Sequence, residues 1–225
     1  MAERHKWQFA ARFRRRAFGW RSQPAVKRVR EATSEIKKVA RRDPVLGAEG
    51  AVRFLEKVSP ALEQVDSSSG SIGNAVNKAI EALVPIIAEA PLDETDRAHV
   101  LERLWDALQE DDMPYIETLG DRWGELCASP EVASDWADQL IGTVRLAWSP
   151  DPNLRGFFKG TFPCLSALLA AGRYEELLEL LDEAPHPLWH YRKWGVQALV
   201  ALGRKGEALR YAEASRMPHD SPTAI

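Results

Sequence analysis

Apolar residues recur at three- and four-residue intervals along most of the chain, and no stretch alternates apolar and polar positions with β-branched enrichment. The pattern predicts helices and no strands. From Ser22 and Pro24 to about Arg42, Val26, Val29, Ile36, Val39 and Ala40 fall on one side of a helix and the charges fill the other. Asp43-Pro44 reads as an N-cap and first helical residue, ending one helix and starting the next. That helix runs to about Val58, and Ser59-Pro60 restarts the chain for a further turn or two. "DSSSGSIG", Asp66–Gly73, is the clearest loop. The following segment places Val76, Ile80, Leu83, Val84 and Ile87 on one face, with a kink expected at Pro85.

Pro91 ends that helix and Asp93 caps the next, with core positions Val100, Leu101, Leu104, Trp105 and Leu108. Pro114 is expected in the first turn of a helix to about Ala128. Ser129-Pro130-Glu131 starts another, carrying Val132, Trp136, Leu140, Val144 and Trp148. After the loop "SPDPN" (Ser149–Asn153), helices are expected at about 154–171, 173–184, 187–202 and 204–216, before a polar tail at 217–225. Loops this short force consecutive helices to pack antiparallel, as a bundle or an α-solenoid.

A weak internal repeat favours the solenoid. "AAGRYEELLELL" (Ala170–Leu181) and "ALGRKGEALRYA" (Ala201–Ala212) align with Gly172-Arg173 over Gly203-Arg204, 31 residues apart. In both, an apolar helix ends at a glycine suited to a left-handed C-cap. Leu177 and Leu181 match Ala208 and Ala212. These residues resemble the second-helix half of a tetratricopeptide repeat, where a glycine precedes a small residue by five positions. Gly203 and Ala208 keep that spacing, Gly172 has Leu177, and the family's first-helix Trp and Leu-Gly signature is missing. More loosely, the chain looks like the N-terminal part of a longer class of bacterial helical-repeat proteins, a likeness that implies a fold and no activity. The expected architecture is therefore all-α: antiparallel helix hairpins stacked as a short right-handed α-solenoid, tetratricopeptide-like over 149–216. Leu209, Tyr211 and Ala212 on the last helix have no capping helix after them. The expectation is that a second chain covers this end, by self-association through the C-terminal helix, or that the chain is a shortened member of a longer class.

Composition adds a division of charge. Residues 1–42 carry fourteen Lys and Arg against three acids, a net of +11, while 43–225 carry a net of −14. The expected segments are a basic amphipathic helix pair (1–42), a helical-hairpin array (43–148), the tetratricopeptide-like pairs (149–216) and the tail. The start lacks a signal-peptide pattern; its arginine-rich composition is that of an organelle presequence, but the helical period runs straight on. No apolar run is long enough to cross a membrane. Cys127 and Cys164 fall in apolar helical patterns, as reduced core thiols of a cytoplasmic protein.

The densest candidate chemistry is "RFRRRAFGWR", Arg12–Arg21. As a helix, it would carry two aromatic stripes (Phe9, Phe13, Ala17 and Trp20; Trp7, Ala11 and Phe18) with Arg4, Arg12, Arg15 and Arg16 between them. The second helix adds Lys27, Arg30, Lys37, Lys38 and Arg41, tempered by Glu31 and Glu35. Three readings fit: a face for phosphate backbones or anionic headgroups, cationic stems covering apolar surface, or a basic pair lying against acidic residues of this or another copy. No recognised nucleic-acid-binding motif is present. His186 and His190 are four apart, but no third ligand stands nearby, so no metal is expected. "GSIGNAVNK" (Gly70–Lys78) lacks the ending of a phosphate-binding loop. Glu110-Asp111-Asp112, Asp135 and Asp138 are expected to solvate a surface. Trp105, Trp123, Trp136, Trp148, Trp189 and Trp194 sit at core-compatible helix positions. With no catalytic constellation and no cofactor motif, the sequence suggests a non-enzymatic scaffold for a protein or peptide partner. Nucleic-acid binding through the basic N-terminal helices is the alternative.

Overall fold

The computed structural model describes residues 5–186 and 188–214, and among them the chain is all-helical. The chain divides into two compact units, 1–122 and 123–225.

The first unit holds α1 (Ser22–Ala40), α2 (Pro44–Leu62), α3 (Ser71–Ala88) and α4 (Glu94–Gln109). Its centre is α2, which packs against α1, α3 and α4 and buries Ala48, Ala51, Val52, Phe54, Leu55, Val58, Ala61 and Leu62. The buried positions of α2 spread over an arc of roughly 200°, wider than one neighbour covers, while Glu49, Arg53, Glu56 and Lys57 lie on the remaining side. Small residues let the neighbours approach: a side chain on Gly47 would strike the Ala40 backbone, and one on Gly50 the Trp7 ring. The caps are as expected. Asp43 accepts from the Leu46 amide at 2.9 Å and Asp93 from the Asp96 amide at 2.8 Å. The α3 face of Val76, Ile80, Leu83, Val84 and Ile87 is buried. Arg103 of α4 forks onto Glu56 (2.7 and 2.9 Å) and reaches Glu49 (2.6 Å), tying α4 to α2 and holding its guanidinium more firmly protonated than usual. Buried Arg97 donates to the carbonyls of Ile87, Ala88 and Ala90, which satisfies the end of α3.

The second unit holds α5 (Trp123–Cys127), α6 (Pro130–Ala147), α7 (Thr161–Ala170), α8 (Tyr174–Asp182), α9 (Trp189–Ala201) and α10 (Lys205–Glu213). Here α7 is central, touching α5, α6, α8 and α9. Gly124 lies so close to α7 that a Cβ would collide with the Ser166 carbonyl, and its amide donates to the Ser166 hydroxyl at 3.0 Å. The Ser129 hydroxyl caps α6. The two Gly-Arg turns share one construction. Gly172 and Gly203 have φ of +74° and +77°. Their amides bond to Leu169 and Val200, and the next amides, of Arg173 and Arg204, reach back to Leu168 and Leu199. Both are complete Schellman caps. Arg173 then pairs with Asp138 of α6 (2.6 Å), and Arg204 with Glu175 of α8 (2.7 Å): each reaches the helix before its own hairpin. Leu177, Leu181, Ala208 and Ala212 are all buried.

The structure corrects five expectations. Residues 5–21 form no α-helix; they make a single 3-10 turn at Phe9–Ala11 and then an irregular arm. One helix could not bury two aromatic stripes on different faces, whereas the arm buries Trp7, Phe9 and Phe13 together, with Phe9 and Phe13 edge-on to Phe54. Ser59-Pro60 does not restart the chain. Pro60 lies inside α2, where a missing hydrogen bond costs about 3 kcal/mol and is outweighed by burying Val58, Ala61 and Leu62 at roughly 1.5–3 kcal/mol per large side chain. The loop after Asp66 is shorter than read, since α3 begins at Ser71. The helix expected from Pro114 to Ala128 is broken into a 3-10 segment, Glu117–Arg122, and the short α5. The cause is Asp111, only 4% exposed, whose carboxylate accepts from the Ser59 hydroxyl and the Tyr115 and Ile116 amides, winding 111–116 around itself. Residues 154–160 are also non-helical, fastened by Arg155 to the Ser149 carbonyl and Gly156 to that of Ala147.

Two substitutions at α5 should move stability in opposite directions. Gly124→Ala forces a methyl into the Ser166 backbone and should cost about 1–3 kcal/mol. Ala128→Gly should gain about 1 kcal/mol, because Ala128 sits at φ +61°. Urea midpoints check both.

Candidate functional site

The sequence-derived cationic candidates lie in the first unit, and the structure sorts them into two groups; Arg4 lies outside the described residues. The first group rides on the arm. Glu35 of α1 receives the amides of Gln8 (2.8 Å) and Phe9 (3.2 Å), acting as a cap supplied from another element. Arg12 pairs with Glu31 at 3.3 Å, sharing it with Arg28 at 2.6 Å. Arg15 and Arg16 both hold Glu63 just past the end of α2, at 2.7 and 2.8 Å. Arg16 adopts φ +55° as its amide donates to the Pro60 carbonyl. Hydrogen bonding from Arg28, aided by the charges of Arg28, Lys27 and Arg12, holds the Glu31 carboxyl below its usual range. Hydrogen bonding from Arg16, with the charges of Arg15 and Arg16, does the same for Glu63. A cavity of about 260 Å³ between arm and α1 is lined by Phe9, Arg12, Phe13, Arg28, Glu31 and Glu35, its charged groups already engaged with one another or with backbone.

The second group is Lys27, Arg30, Lys37, Lys38 and Arg41. All five are exposed, four on α1 and Arg41 at its C-cap, opposite buried Ala25, Val29, Ala32 and Ile36. At about 100° per residue they share an outward arc of roughly 100° with Gln23 and Ser34. Of the nine cations expected on two helices, Arg12, Arg15 and Arg16 are instead paired with acids of this chain and five form a separate stripe.

The remaining candidates resolve as structure. Asp111 is not a solvating acid but the buried organiser of a turn, a role that its sequence, between two other acids, does not signal. Asp138 is the partner of Arg173. His190 packs on the Phe162 and Tyr191 rings. Among the described residues, no group of three or more His, Cys, Asp and Glu could hold a metal ion. Gly70 sits at φ +68° in the tight turn into α3, where the Ser69 and Ser71 hydroxyls bond one another. Cys127 and Cys164 are buried thiols, and burial pushes that of Cys164 up to about 12, so it holds its proton at neutral pH. Trp123, Trp148 and Trp194 are core, Trp105 and Trp136 are half-buried, and Trp189 is exposed along one edge. Trp7 is buried and Trp20, 72% exposed, is not. Tyr211 and Ala212, which have no capping helix after them, are covered within the chain: Tyr211 lies under the Arg192 guanidinium and against Gly195, and Ala212 is buried. No helix among the described residues is long and apolar enough to cross a membrane. No family model, curated protein or solved structure matches the chain.

The arm should loosen in acid. Because the folded-state values of Glu31 and Glu63 are depressed, their stabilisation is present above the usual carboxylate value of 4.5 and fades as pH falls through the lower folded values. Hydrogen exchange of residues 7–16, taken relative to the intrinsic rate at each pH, should rise over that interval. Glu63→Gln should raise it at neutral pH and flatten the Glu63 part of the acid response, and Glu35→Ala should raise it most, losing a cap of about 1 kcal/mol.

Proposed function

We propose that the chain is a non-enzymatic helical-repeat scaffold that binds a protein or peptide partner in a reducing, cytoplasmic setting. The observation that carries this reading is the recurrence, 31 residues apart, of one Gly-Arg turn with the same cap bonds and the same backward arginine pairing. Hairpins that repeat in this way are tetratricopeptide-like, and extended as a right-handed solenoid they present surface rather than a reaction chamber. The last hairpin supports it further: Val200 and Leu209 remain 49% and 56% exposed on α9 and α10. Apolar side chains at the end of a repeat array are where a further repeat, a second copy or a partner helix packs.

A photo-crosslinking residue at position 209 of the full chain, in cells that produce it, tests this. The expected product is a discrete adduct to one polypeptide, retained at 300 mM salt and lost when Val200→Asp is added. No adduct beyond that given by the same group at exposed Glu179 would contradict the scaffold reading.

A further inference from the structure

We propose that the outward arc of α1 is a sequence-independent nucleic-acid contact, gripping the phosphodiester backbone through Lys27, Arg30, Lys37, Lys38 and Arg41. The inference stands apart from the scaffold reading, since it uses a different unit and a different surface.

The stripe is more than a solvated helix face. From residue 27 to 41 it runs about 21 Å at 1.5 Å per residue, and every position on it is polar and exposed. Two carboxylates border it, Glu31 and Glu35, and both are already engaged: Glu31 with Arg28 of α1 and Arg12 of the arm, Glu35 with the Gln8 and Phe9 amides. Glu31, four residues beyond Lys27, is thereby shared among three cations. Arg30 has no acid three or four positions away; its charged neighbour at that spacing is Lys27. Lys37 and Lys38 likewise stand four and three residues from Arg41. Like charges at these spacings disfavour the helix. The helix dipole compensates for cations in the last turn but falls off before Lys27 and Arg30. An external polyanion relieves the repulsion along the whole stripe.

The chemistry of the arc selects among polyanions. A protein partner is anchored by an apolar centre in its interface, and the arc offers none. A membrane-surface helix inserts an apolar face, and that of α1 is committed to α2 and α3. A nucleic-acid backbone needs only charge, because releasing its condensed counterions drives association. Arg12, Arg15 and Arg16 of the arm, each paired with a carboxylate, contribute little.

The test is fluorescence anisotropy of the full chain with a labelled 20-nucleotide single strand and a 20-base-pair duplex across 25–200 mM salt. Binding should weaken with salt, with a log–log slope of about −4 for five contacts. Lys27→Gln/Arg30→Gln/Lys38→Gln relieves repulsion within α1, so it should melt no lower than wild type. Its affinity should fall about tenfold or more at low salt, and the slope should shrink by about one per cation removed. Arg12→Gln/Arg15→Gln should bind as wild type. Comparison of the two probes tells whether single strand or duplex is preferred. The proposal is overturned if neither binds at 25 mM salt, if the α1 triple variant binds as wild type, or if the arm variant loses as much as the triple. It is also overturned if polyglutamate binds as tightly as the oligonucleotide, or if vesicles containing phosphatidylserine bind more tightly.

Discussion

Each unit of this protein is organised by one helix that cannot be left facing water. Helix α2 buries eleven of its nineteen residues, over an arc of roughly 200°, and α7 buries seven of its ten. An amphipathic helix needs one neighbour; these need several, and the remaining helices are arranged to provide them. At roughly 1.5–3 kcal/mol for each large apolar side chain removed from water, against a few tenths for a typical exposed ion pair, this burial outweighs the local preferences it overrides. It keeps α2 helical through Pro60, and it draws Trp7, Phe9 and Phe13 out of helical register to cover the side of α2 that carries Phe54. Close approach depends on Gly47 and Gly50 in one unit and Gly124 in the other.

The same demand explains how charge is distributed in the first unit. An arm that gives up helical hydrogen bonds must find others, and it finds them in Glu35 and the Pro60 carbonyl. Its arginines would repel one another in the short segment from Arg12 to Arg16, and Glu31 and Glu63 offset the charges of Arg12, Arg15 and Arg16. The acids that would ordinarily balance α1 are consumed in this way, and the cations on its far side keep their charge unbalanced. Charge separation that looks in the sequence like one basic segment is thus two features with opposite consequences, one holding the fold together and one directed at solvent.

What could be read from the sequence was what local chemistry determines. Asp43, Asp93 and Ser129 announce helix starts because a short oxygen-bearing side chain before a helical run has few better uses. Gly172 and Gly203 announce stops because the cap needs positive φ. The apolar face of α3 follows from its period alone. What escaped depended on partners distant in the chain. Asp111 is surrounded by acids in sequence yet binds Ser59 and two amides. The arm has helical composition, but its path is set by Phe54, Glu35 and Glu63, between 20 and 50 positions further on. Of the candidate site, the cations were legible as residues; which of them were already neutralised was not.

Native-state hydrogen exchange measured residue by residue tests the central role of α2 and α7 most directly. Amides from 48 to 61 and from 164 to 169 should be the slowest in their units, opening only with global unfolding, while α1, α4, α8 and α10 exchange through smaller local openings. Equal or greater protection in α1 or α10, or rapid exchange around Pro60 while α1 stays closed, would contradict the account.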